Sequence, residues 1–202
     1  MKIFCVGKNY VDHAKEMNSK VPESPLIFIK PETAYLRNES PFHYPAFSND
    51  IHYEVELVLK IGRQGKNIQP EDVINYISKI TLGVDFTARD IQSQCKKNGH
   101  PWELAKSFDD SALVGRFVEM PYEKIHSVDF KLDLNGQTVQ NGNTRDMVFD
   151  IERIVSFISE RFTIQMGDLI FTGTPAGVGS IKRGDLLEGF LDENLLVSTT
   201  IK

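Results

Sequence analysis

Residues Tyr53 to Ile61 constrain the fold of this chain more than any other stretch. Val55, Leu57, Leu59 and Ile61 share one parity, and Glu54, Glu56 and Lys60 share the other. A β-strand sends successive side chains to opposite faces, so the alternation reads as a strand with one dry side. The other side then carries two carboxylates about 6.6 Å apart, at roughly 3.3 Å per residue. Like charges so placed repel unless a cation or a proton lies between them. Alternating glutamates are common on solvated strands. Here the opposite face is wholly apolar, which orients the strand strongly and turns attention to a ligand set.

Other segments supply strands and a few helices. Leu26-Ile27-Phe28-Ile29 reads as a buried strand within the proline-dotted, loop-rich residues 21–50. Pro70 to Lys79 reads as a helix with Pro70 in its first position and Val73, Ile74 and Ile77 on one face. Thr81 to Phe86 reads as a short strand. Thr87 and Asp90 then serve as N-cap and first-turn acid of a following helix. Asn135-Gly136 between Leu132, Leu134 and Val139 predicts a hairpin with a type I′ turn. Asp150 caps a helix bearing Ile151, Ile154, Val155 and Ile158. Leu169–Thr172 and Leu195–Ile201 close the set as strands. Strands outnumber helices and the regular βαβ rhythm is missing, so the expected fold class is a β-rich α+β.

With 202 residues the chain suits one catalytic domain over 1–202, whose residues 1–50 include a lid segment. A formal net charge of −5 gives no basic footprint for nucleic acid. No stretch has the length of a membrane-spanning helix and no signal-peptide core is present, so a cytoplasmic location is expected. Cys5 and Cys95 lie in no CxxC and read as reduced thiols.

Asp85, at the end of an apolar segment, adds a third carboxylate to Glu54 and Glu56. All-oxygen ligation suits Mg²⁺, Mn²⁺ or Ca²⁺ rather than zinc. His52 shares the parity of the two glutamates and offers a weaker, transition-metal alternative. His13 and Glu16 are neighbours on a helical turn and pair as a general base, unless they merely decorate an exposed face. Lys106, among aromatic and apolar residues, either snorkels to solvent or stabilises an enolate. Thr172 to Gly179 follows a strand and is glycine-rich, but it is neither a dinucleotide fingerprint nor a P-loop. The chain has no GxSxG elbow, which removes the usual support for acyl-enzyme chemistry.

Taken in order, these segments resemble the fumarylacetoacetate hydrolase family, in its short acylpyruvate hydrolase and oxaloacetate decarboxylase branch. The matching pieces are Gly7-Lys8-Asn9-Tyr10 with His13 and Glu16, Phe28-Ile29-Lys30-Pro31, and Tyr53-Glu54-Val55-Glu56. They continue with Asp85-Phe86-Thr87-Ala88-Arg89-Asp90-Ile91-Gln92, Ala105-Lys106-Ser107-Phe108, and Thr172-Gly173-Thr174-Pro175-Ala176-Gly177-Val178-Gly179. The resemblance implies a β-rich mixed-sheet roll and a homodimer. It implies Glu54, Glu56 and Asp85 as ligands of Mg²⁺ or Mn²⁺, with Ca²⁺ as a substitute. It implies Lys106 as the active-site lysine and His13 with Glu16 as a water-activating pair on a closing segment. Lys30, Arg89, Gln92 and Thr174 take substrate-contacting positions. Glu32 departs from the pattern where a small hydroxyl residue is expected, which bears on the contacts around Lys30.

The activity so implied is metal-dependent cleavage of the carbon–carbon bond of acylpyruvates, with decarboxylation of oxaloacetate beside it. Both reactions expel the same pyruvate enolate. An isomerase or tautomerase acting on the same keto–enol acid is the rival enzyme, and a non-catalytic keto-acid-binding protein is the rival outside catalysis.

Overall fold

The computed structural model describes residues Met1–Lys202. The chain opens with strand β1 (Ile3–Gly7), helix α1 (Val11–Glu16), β2 (Leu26–Lys30) and β3 (Tyr35–Arg37). The alternating stretch divides into β4 (Ile51–Tyr53) and β5 (Val55–Ile61), with Glu54 alone between them. There follow β6 (Ile77–Asp85), β7 (Thr87–Ala88), α2 (Arg89–Asn98), α3 (Glu103–Lys106), β8 (Ala112–Val114) and α4 (Tyr122–Ile125). The second half holds β9 (Asp129–Leu134), β10 (Gln137–Asn143), α5 (Ile151–Arg161), β11 (Leu169–Phe171), β12 (Gly179–Ser180), β13 (Leu186–Leu191) and β14 (Asn194–Thr200).

Seven strands form one mixed sheet in the order β2-β1-β11-β5-β6-β8-β3. The pairs β1–β11 and β3–β8 are parallel and the other pairs are antiparallel. A four-stranded antiparallel sheet, β10-β9-β13-β14, packs against it, and β12-β4-β7 make a third, small sheet. This is the mixed-sheet α+β roll that the resemblance implies. The larger apolar cluster holds Leu57, Leu59, Leu82, Leu132, Leu187 and the buried face of α5. A second, on the other side of the large sheet, holds Ile3, Cys5, Val58, Ala112, Leu169 and Phe171. Glu56 is buried between these layers, so an exposed strand face for it is ruled out.

Several local expectations hold. Asn135 and Gly136 turn the β9–β10 hairpin with φ of 53° and 78°, as a type I′ turn requires. Asp150 caps α5, its side chain accepting the Arg153 N–H at 2.7 Å. Others are corrected by tertiary pairing. The helix expected over Pro70 to Lys79 is a 3₁₀ turn over Pro70–Asn75, and Ile77 already belongs to β6, paired with Ile61. The ladder with β5 satisfies those backbone groups, so the helix stops and Ile74 is left exposed. Thr87 does not cap α2: it lies in β7 opposite His52, and Ala88 stands at the cap without a side-chain bond. The Leu26–Ile29 strand forms, but at the sheet edge, so those four are half-buried while Lys30 is fully buried.

Candidate active site

Sheet register assembles the carboxylates. Antiparallel pairing of β5 with β6 sets Val55 against Val84 and Glu56 against Gly83. One step further the Asp85 N–H donates to the Glu54 carbonyl at 2.9 Å, so Asp85 stands across from Glu54. One ligand oxygen from each of Glu54, Glu56 and Asp85 lies within 4.8 Å of the others, and all three residues are buried. His52 turns away from them, its Nε2 3.0 Å from Asp50 Oδ1.

The three acids have different partners. Glu54 accepts from Arg89 through one oxygen and from Lys106 through the other, at 2.8 Å. Burial would raise its carboxyl, but Lys106 and Arg89 outweigh that and hold it well below the usual range. Asp85 Oδ2 meets Lys106 at 2.7 Å. Asp85 Oδ1 lies 2.8 Å from Lys30 Nζ but off the line a hydrogen bond needs, so this buried oxygen has an ionic neighbour and no donor. Glu56 has no side-chain cation. It accepts the Gly173 N–H at 2.7 Å, and burial with Asp85 and Glu54 nearby pushes its carboxyl well up. Lys106 would be lowered by burial, yet Asp85 and Glu54 hold it above its ordinary value, so it stays an ammonium. It does not snorkel; it is buried.

His13 is also buried, on α1, with Nδ1 3.3 Å from Glu16 Oε2. Glu16 accepts the Gly177 N–H at 3.1 Å, which ties α1 to the glycine-rich loop after β11. Two glycines of that loop are needed where they stand. Gly173 and Gly177 have φ of 102° and 98°, and an added Cβ would come within 2.6 Å of Asn9 Cβ and 2.3 Å of the Val139 carbonyl. Gly173 delivers its N–H to Glu56 and Gly177 to Glu16.

Two positioning residues, Gln140 and Asn9, have no role that the sequence alone assigns. Buried Gln140 follows a register irregularity in the β9–β10 ladder. Its Oε1 accepts the Val55 N–H at 2.9 Å, and its Nε2 donates to Thr174 Oγ1 and the Pro175 carbonyl. Asn9 donates to the Thr172 and Phe149 carbonyls and accepts the Phe149 N–H. Asn9 stands in the Gly7-Lys8-Asn9-Tyr10 stretch and Gln140 in no such pattern, and their roles stay hidden because every partner except Thr174 Oγ1 is a backbone group distant in sequence.

One cavity unites the site. It is lined by His13, Glu54, Glu56, Asp85, Arg89, Gln92, Lys106 and Thr174, together with Lys8, Lys96 and Trp102 among others. Arg89 and Gln92 reach it from one face of α2, three residues apart, and bond each other at 2.7 Å. Glu16 stands behind His13. Lys30 is the exception among the expected contacts. It is fully buried, does not line the cavity, and bonds Ser111 and the Lys106 carbonyl. Its place is behind Asp85, where a direct substrate contact has no path. Glu32 points to solvent and pairs with the N-terminus at 2.9 Å, away from the cavity.

The fumarylacetoacetate hydrolase C-terminal family model matches residues 2–195. The chain belongs to the fumarylacetoacetate hydrolase family. It is 46% identical over 193 residues to a rat protein named oxaloacetate tautomerase FAHD1, mitochondrial, covering 94% of this chain and 86% of that one. It is 40% identical to an oxaloacetate decarboxylase, mitochondrial, of Dictyostelium discoideum, covering 93% and 87%. Fumarylpyruvate hydrolase from Pseudomonas aeruginosa, crystallised with Mn²⁺ and pyruvate, superposes with a TM-score of 0.94 at 32% identity over 100% of this chain and 89% of that one. Within this family frame the carboxylate cluster fits a hard divalent cation. Its donors are all oxygen, Asp85 Oδ1 lacks a hydrogen-bond donor, and Glu56 lacks a counter-charge. The neighbourhood already holds positive charge, since the Lys106 ammonium sits between Glu54 and Asp85. No helix is long and apolar enough to cross a membrane.

Proposed function

We propose that this family member is an enzyme acting on 2-keto acids of the oxaloacetate type, with keto–enol proton transfer as its principal reaction. The observation that carries the proposal is the meeting of the His13–Glu16 pair, Lys106 and the three-carboxylate cluster around one cavity. Two kinds of relative support it, those named oxaloacetate tautomerase and the one named oxaloacetate decarboxylase.

Glu54, Glu56 and Asp85 would hold Mg²⁺ or Mn²⁺, with Ca²⁺ able to take the same oxygens. The ion supplies Lewis-acid polarisation of a keto group and charge neutralisation. Arg89, Gln92 and Thr174 orient the substrate. Glu16, held as an acceptor by Gly177, keeps the proton of His13 on Nδ1 and leaves Nε2 free as a base. Nε2 takes a proton from the carbon beside the keto group, and the C–H electron pair becomes the enolate π bond. Glu16 then steadies the imidazolium. Lys106 has three N–H donors and spends two on Glu54 and Asp85, so its third is available to the developing enolate oxygen. Return of the proton to oxygen yields the enol, and the reverse sequence yields the ketone. Lys30 acts indirectly, by holding Asp85 and the Lys106 backbone.

A second reading is favoured by the likeness to fumarylpyruvate hydrolase. The same His13–Glu16 pair would deprotonate a water that attacks the distal carbonyl of an acylpyruvate, and the pyruvate enolate would leave. The deciding experiment follows oxaloacetate and acetylpyruvate side by side, with Mg²⁺ and with a chelator. Metal-dependent loss of enol-oxaloacetate absorbance that exceeds acetylpyruvate cleavage is expected. Faster acetylpyruvate cleavage would move the assignment to hydrolase, and turnover of neither would sink both. The proposal extends to a homodimer, which light scattering would check.

A further inference from the structure

The lining of the cavity divides by burial. Glu54, Glu56, Asp85, His13, Arg89 and Lys106 are buried in it, while Lys8 is half-buried and Lys96 exposed. The ion pairs made by residues of the cavity are His13–Glu16, Arg89–Glu54, Lys106–Glu54, Lys106–Asp85 and Lys30–Asp85. Lys8 and Lys96 belong to none of them.

The fold places these two cations deliberately. Lys96 lies seven residues after Arg89 and four after Gln92, on the same face of α2, and its Nζ stands 5.5 Å from the centre of the Trp102 ring. Neighbouring Lys97 is not part of the lining. Lys8 has φ of 60°, a left-handed conformation that is costly for a residue with a Cβ. Such strain persists where the surroundings over-determine it. Here the next residue, Asn9, is bolted to Thr172 and Phe149.

We propose that Lys8 and Lys96 form a receptor for a second carboxylate, which makes this enzyme selective for keto dicarboxylic acids over acylpyruvates with neutral tails. The proposal rests on the reading above, in which the first carboxylate and keto group meet the buried residues. Electrostatics agree. Much of the Lys96 side chain is exposed, but burial of its ammonium with Arg89 and Lys8 nearby lowers it to about 8, against the pull of Glu54 and with Lys106 adding to the fall. Cations crowded without a counter-charge invite an anion.

The test is the selectivity ratio, kcat/KM for oxaloacetate over kcat/KM for acetylpyruvate. Lys96→Met keeps a stem of similar length over Trp102, and Lys8→Asn keeps a residue that tolerates left-handed backbone. Each should lower the ratio by about tenfold, mainly through KM for oxaloacetate, as expected for a lost hydrogen bond to a charged group. Lys96→Arg should restore it. In the wild type the ratio should fall as pH rises from 7 to 9, and Lys96→Arg should flatten that fall. With the wild type active, an unchanged ratio in both variants, including equal losses for the two substrates, would overturn the receptor alone. Absence of turnover with either substrate would instead remove the proposed function and the receptor with it.

Discussion

The large sheet and the four-stranded sheet both bury acids, and they satisfy them over different distances along the chain. Asp133 of β9 is met by Lys131 and Thr138, two and five residues away. Glu54 is met by Arg89 and Lys106, 35 and 52 residues away. Glu56 is met by Gly173, 117 residues away. The four-stranded sheet shares its apolar core, Leu132, Leu187 and Val197, with the large sheet, yet its buried acid is satisfied within its own hairpin. The large sheet instead brings charges together that no local pattern would tolerate. Burying like charges opposes folding, and their persistence marks the place where function outweighs stability.

Four changes sharpen this contrast. The largest effect should come from Glu56→Ala, which removes the acid without a counter-charge. Activity should fall on the order of 10³-fold or more, because several kcal/mol of Lewis-acid stabilisation go with the ion. Calorimetric titration with Mn²⁺ should show lost affinity, while the melting temperature in chelator should hold or rise. A metal-free melting temperature that dropped sharply would show that the acid is structural.

Glu16→Gln should lower kcat for oxaloacetate enolisation by about 10²-fold, within the range for general-base catalysis, and leave Mn²⁺ affinity intact. Undiminished kcat would remove the pair from the mechanism. Leu187→Ala, in the other sheet, should invert the pattern. Chemical denaturation should show a loss of roughly 2–5 kcal/mol for a fully buried leucine, with kcat per folded molecule retained. A large kcat defect there would mean that the two sheets are not separable.

The smallest effect is a slope in pH. In chelator, Glu56 is raised above its ordinary 4.5, so between 4.5 and its folded value the native state holds a proton that the unfolded chain has lost. Stability should therefore fall as pH rises through that window. Glu54 is lowered and acts oppositely, its contribution lost as pH falls below 4.5. Thermal melts of wild type against Glu56→Gln from pH 4 to 8 isolate the first term, and saturating Mg²⁺ should flatten it. Parallel curves in chelator would refute the coupling.

How much was legible follows the same division. The Asn135-Gly136 hairpin and the Asp150 cap form as their residue types demand, because both are satisfied within a few residues. The helix expected to Lys79 and the Thr87 cap fail because β5 and β4 claim those backbones from afar. Among the site residues, the three carboxylates, His13, Arg89, Gln92, Lys106 and Thr174 do meet at one cavity. Lys30, expected at the substrate, stands behind Asp85, since a half-buried edge strand turned that side chain inward rather than toward the opening.

Alternation, turn chemistry and charge by themselves determined that this chain would be β-rich, where its hairpin would turn, and which acids were worth suspecting. Only the tertiary structure decided that Glu54 bridges two sheets, that Gln140 and Asn9 brace the glycine-rich loop, and that Lys8 and Lys96 share a cavity with the acids. Local propensity is written in neighbouring residues. Convergence of distant charges depends on strand order and register, which exist only after the core has closed.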